Sequence, residues 1–129
     1  CCWEQVHTSA GKPLPNNWLR RAVSISGLYD LAPLVPAPFL QDDLRLSPQT
    51  VQRCSPAYWP EPAKGKLFAV VGGDESDEFL RHNHMMRQVW GSKRVPHTSV
   101  LAGLNHFTIV EALANGHPAL VKVLQKAFT

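Results

Sequence analysis

The sequence predicts an α/β fold built on parallel strands, and two observations carry that expectation. Lys66-Leu-Phe-Ala-Val-Val71 is a continuous apolar run closed by Gly72-Gly73-Asp74, the pattern of a strand with both faces covered. Shorter apolar runs alternate with longer helical patterns along the chain, which implies β-α-β units with right-handed crossovers. The chain has 129 residues, 44% of them hydrophobic and 18% charged, which suits one domain over 1–129 with a real core.

Residues 1–19 are broken by Gly11, Pro13, Pro15 and Asn16-Asn17 and support no long element. Arg21-Ala-Val-Ser-Ile-Ser26 reads as a buried strand stopped by Gly27. Residues 31–62 form a long excursion holding seven of the 11 prolines (Pro33, Pro36, Pro38, Pro48, Pro56, Pro60 and Pro62), so only short helical turns are expected there. One such turn runs to Cys54, with Ser47 as N-cap and Pro48 at the first helical position. After the strand at 66–71, Ser76 is expected to cap a helix with Asp77 and Glu78 in its first turn. That helix buries Phe79, Met86, Val89 and Trp90 and stops at Gly91. His97-Thr-Ser-Val-Leu101 is the third strand. Two terminal helices follow, Phe107–Ala114 and another from Pro118 that buries Leu120, Val121, Leu124 and Phe128.

Composition narrows the function. Thirteen Lys and Arg against 10 Asp and Glu give a net charge of +3, scattered rather than gathered into the basic stripe of a nucleic-acid binder. Cys1, Cys2 and Cys54 match neither a disulfide scaffold nor a zinc site, so a reducing cytoplasm is expected. No apolar run reaches the roughly 20 residues that a membrane span needs. Gly72-Gly73 lacks the surroundings of a phosphate-binding loop.

In open parallel sheets the working residues lie beyond the C-terminal strand ends. Asp74 follows the strongest strand, and His106 lies five residues past the next one. A carboxylate that accepts from imidazole Nδ1–H leaves Nε2 free to act as a base. The alternative is that Asp74 only caps a helix and His106 lies in a loop.

Four blocks add a resemblance: Ser26-Gly-Leu-Tyr-Asp-Leu31, Ser55-Pro-Ala-Tyr58, Val70-Val-Gly-Gly-Asp-Glu-Ser76 and Asn105-His-Phe107. From about Arg20 onward the chain resembles the C-terminal half of an α/β-hydrolase fold, in the kynurenine formamidase (arylformamidase) and esterase branch. The resemblance implies a serine hydrolase acting on a small-molecule formamide or ester such as N-formylkynurenine or an aryl ester, with no cofactor. It places the triad's acid at Asp74 and its histidine at His106. It also gives residues 31–62 a cap-like role, in which Phe39, Tyr58 and Trp59 either cover a substrate pocket or simply pack.

The nucleophile elbow G-x-S-x-G is absent, as is the His-Gly-Gly oxyanion segment. Ser9, in His7-Thr-Ser-Ala-Gly11, lacks the first glycine and a preceding strand, and no elbow surrounds Ser24 or Ser26. The chain, which begins at Cys1, is therefore expected to hold the acid and histidine of a triad but not its nucleophile. It is expected to associate with itself or with an N-terminal hydrolase piece. The competing reading is a non-catalytic module that binds a ligand or partner chain. His82 and His84 suggest a metal, but residues two apart on a helix point about 200° from one another, so two partly exposed histidines and no metal are expected. His97 and His117 have no partner nearby in sequence, and Asp30 is expected to order the excursion.

Overall fold

The computed structural model describes residues 10–13 and 19–129. Its centre is a three-stranded parallel sheet in the order β1-β2-β3, made of β1 (Arg21–Ile25), β2 (Lys66–Gly72) and β3 (His97–Leu101). The strand positions and their parallel pairing are those the apolar runs predict. β2 lies in the middle and is buried from Leu67 to Gly72, which explains why its apolar run is unbroken.

Between β1 and β2 run 3-10 turns at Ala32–Leu34 and Pro56–Tyr58 and two short helices, α1 (Pro38–Leu44) and α2 (Pro48–Cys54). Each starts with a proline at its first or second position, where a missing N–H costs nothing. Ser47 caps α2 by accepting from Thr50 N–H at 3.1 Å. Asp30 orders the excursion: its Oδ1 accepts from Ala32 N–H at 3.0 Å and from Tyr58 O–H at 2.7 Å.

Helix α3 (Asp77–Arg94) follows β2, with Gly91 at φ 73 kinking it one turn before its end. Ser76 occupies the N-cap position, but its side chain makes no capping bond. Helices α4 (Thr108–Ala114) and α5 (Pro118–Phe128) close the chain. Successive β2 residues point to opposite faces and so meet different helices. Leu67 packs with Tyr29, Met85, Met86, Trp90 and Val95, whereas Phe68 and Val70 pack with Ile109, Leu120, Val123 and Ala127.

Three expected burials are corrected. Val89, Val121 and Phe128 are exposed, and α5 buries Leu120, Val123 and Ala127 instead. The small Ala127 face lets α5 lie close against β1 and β2. His82, expected to be partly exposed, is buried, while His84 is exposed. Burial of His82 is tolerated because both ring nitrogens are partnered: Nδ1 accepts from Tyr29 N–H at 2.8 Å, and Nε2 lies 3.1 Å from Glu78 Oε1.

Candidate active site

The C-terminal ends of the three strands meet in one polar cluster. The turn after β2 is tied to the loop after β3 by Gly73 N–H to Leu101 O at 2.7 Å and by Asp74 N–H to Leu104 O at 3.0 Å. The two chains approach so closely that a Cβ on Gly72 would stand 2.1 Å from Leu104 O. Only glycine fits there.

This close approach decides which carboxylate turns inward. Asp74 was expected to face His106, and it does not: Asp74 is exposed, and the carboxylate against the imidazole belongs to Glu75. Glu75 Oε2 lies 2.8 Å from His106 Nδ1. Its other oxygen, Oε1, accepts from Gly72 N–H at 2.8 Å and from the Ser26 hydroxyl at 2.5 Å. The Glu75 side chain is 0% exposed, whereas that of His106 is 50% exposed. Burial pushes the Glu75 carboxyl up, but the hydrogen bonds from Ser26, Gly72 and His106 together hold it below the usual glutamate range.

His106 is fixed from the side as well. Its ring lies 4.6 Å from the Phe79 ring and meets Phe107 edge-on at 5.8 Å. Asn105 Oδ1 accepts from both Phe107 N–H and Thr108 N–H, so it caps α4 immediately beside the histidine. Among the described residues His106 Nε2 has no hydrogen-bond partner. The arrangement is that of an oriented base: the carboxylate takes Nδ1–H, and Nε2 offers its lone pair to solvent or substrate.

Beside the cluster, the Arg81 guanidinium forks onto Glu78 at 2.9 and 2.5 Å and holds that carboxyl down to about 2. Of the aromatic residues in the excursion, Tyr58 lines a cavity of about 470 Å³ together with Ala32, Val35, Pro48, Val51 and Gln52. Phe39 is exposed, and Trp59 donates from Nε1 to Arg53 O. Ser24 stays within β1. His7 and Ser9 lie outside the described residues. No group of three or more potential metal ligands occurs among the described residues, and none of their helices is long and apolar enough to cross a membrane.

Sequence reasoning missed Glu75 and the part played by Ser26. Two signals were present: a second carboxylate directly after Asp74, and a serine at the end of the neighbouring strand.

No family model and no curated protein matches the sequence. The fold is similar to a solved structure from Silicibacter sp. tm1040 described as a "putative thioesterase", with a TM-score of 0.70 and 26% identity. The match covers 82% of this chain and 38% of that one, so the chain spans well under half of the protein it resembles. This finding overturns the assignment to the α/β-hydrolase superfamily and its kynurenine formamidase branch: the matched protein carries a thioesterase description, and no formamidase model matches. The motif blocks behind that assignment are also short, and the most specific of them points to Asp74, whereas the carboxylate that meets His106 is that of Glu75. What stands is an α/β chain with a three-stranded parallel sheet and flanking helices.

Proposed function

We propose that Glu75 and His106 are the acid and base of a serine-type hydrolase that cleaves a small ester or thioester. The observation that supports this most directly is the 2.8 Å contact between a buried carboxylate and the Nδ1 of a half-exposed imidazole. In this reading His106 Nε2 takes the proton of an attacking hydroxyl, and Glu75 stabilises the imidazolium that forms. Nε2 then returns the proton to the departing alkoxide or thiolate, which leaves the acyl group on the hydroxyl oxygen. A water deprotonated by the same Nε2 next attacks that acyl group, and the free acid departs as the hydroxyl regains its proton. No cofactor is required for these steps. The thioester side of the proposal rests on the description of the structural neighbour. The nucleophile and the oxyanion donors would come from residues other than these, since no G-x-S-x-G occurs in the sequence. A cytoplasmic setting fits the free thiol of Cys54.

A second reading, a non-catalytic ligand- or partner-binding module, is favoured by that same missing elbow. One experiment separates the two. The protein carrying this chain is assayed on a p-nitrophenyl ester, an acyl thioester and a formylated arylamine, alongside His106→Ala and Glu75→Gln. Turnover of the ester or thioester that falls at least a hundredfold in His106→Ala is expected. Turnover that survives intact in His106→Ala sinks the mechanism, and no turnover of any of the three favours the binding module.

A further inference from the structure

Ser26 is one of two non-glycine residues with a left-handed backbone among the described residues, at φ 51. Such a conformation strains any residue with a Cβ. Gly27, the neighbour that could adopt it freely, does not. The strain has a visible result. Ser26 N–H still donates to Val70 O at 2.8 Å, continuing the β1–β2 ladder, while the side chain swings over to Glu75 Oε1 at 2.5 Å. Because Gly72 N–H occupies the same oxygen, Oε2 is left to face His106.

We propose that Ser26 is a positioning residue of this site: its hydroxyl, aimed by the left-handed strand end, locks the Glu75 carboxylate in the rotation that presents Oε2 to His106 Nδ1. The inference rests on reading Glu75 and His106 as the working pair. A glutamate's terminal torsion is broad, so one backbone donor alone leaves the carboxylate free to swing. The hydroxyl is also the first of the three hydrogen-bond donors that keep this carboxylate charged against the pull of burial. The ionisable group facing Glu75 is His106, while Asp74 and Asp77 on the same turn are exposed.

The test uses Ser26→Ala, which keeps the strain and loses the hydroxyl, and Ser26→Gly, which loses both and so retains a sound backbone. Proton NMR of the His106 Nδ1–H is read beside steady-state kinetics. In both variants the resonance is expected to move upfield and exchange faster with water. kcat should fall about tenfold with KM unchanged, the scale of one charge-assisted hydrogen bond. If the resonance responds in a protein that hydrolyses none of the three substrates, the hydrolase reading fails and the positioning role stands. An unchanged Nδ1–H resonance in well-folded Ser26→Gly overturns the proposal, as does a loss of kcat that merely follows the loss of folded protein.

Discussion

Glu75 accepts from three donors with two oxygens, and its side chain has no contact with water. Glutamine has the same shape but a single acceptor oxygen. Its amide must therefore face either the Ser26–Gly72 donors or His106 Nδ1, and the latter arrangement moves the imidazole proton to Nε2, where a base needs a lone pair. Glu75→Gln is expected to cost about 1–3 kcal/mol of stability and to lower turnover by about a hundredfold or more. Asp74→Asn, at an exposed side chain, should change neither. Thermal melts and ester assays on the two variants check this, and equal losses would remove Glu75 from the site. The pH dependence has a definite sign. A carboxyl held below its usual range contributes stability in full above about pH 4.3, and loses it as pH falls through the folded-state value. Acid melts should therefore decline more steeply in the wild type than in Glu75→Gln. Glu78 titrates in the same direction, but its exposure to water makes its share small. Nothing in Gly72-Gly-Asp-Glu-Ser76 alone ranks its two carboxylates. The choice is made by backbone bonds to Leu101 and Leu104, on an element remote in sequence.

The elements were readable wherever a local pattern had one solution. β2 announces itself through an apolar run ended by glycines, and α2 through Ser47-Pro48. α5 was harder because its apolar arc is wide: Leu120, Val121, Val123, Leu124, Ala127 and Phe128 all lie opposite Lys122, Gln125 and Lys126, and the helix pattern alone does not say which part of that arc is covered. The sheet selects the stripe ending in Ala127, a choice that depends on the partner surface and not on the helix pattern. The same interplay makes the strand-end loops sensitive to small changes. In Gly72→Ala the new Cβ meets Leu104 backbone at 2.1 Å, and backbone cannot rotate aside as a side chain can. The loops after β2 and β3 must separate, and Glu75 and His106 separate with them. Asn105→Ala is milder. It removes the cap from α4 and should cost about 1 kcal/mol while loosening the backbone that carries His106. Hydrogen exchange at Phe107 and Thr108, whose amides Asn105 binds, is the direct measurement. Unchanged protection there would show that the cap is dispensable.

At the scale of the whole molecule, the sheet separates two apolar cores that bear differently on the site. Met86 is fully buried in the core against α3, and Ile109 is fully buried in the core against α4 and α5. Truncating either to alanine removes comparable apolar volume and leaves a cavity, at a cost of about 2–5 kcal/mol. That is a large part of a total stability of about 5–15 kcal/mol for an ordinary domain. The consequences for the site should nevertheless diverge. Ile109 lies three residues beyond His106, and its N–H donates to Asn105 O at 3.0 Å, so its side chain anchors the turn that aims the imidazole. Met86 sits about two turns along α3 from the Phe79 ring that flanks His106, on the other side of the sheet from Ile109. At a temperature where both variants remain folded, Ile109→Ala is expected to shift and broaden the His106 Nδ1–H resonance and to lower kcat. Met86→Ala is expected to leave both near the wild type despite a similar fall in melting temperature. Equal disturbance of the resonance in the two variants would mean that the sheet transmits packing changes from face to face, and that the site depends on the stability of the whole rather than on the α4 side alone.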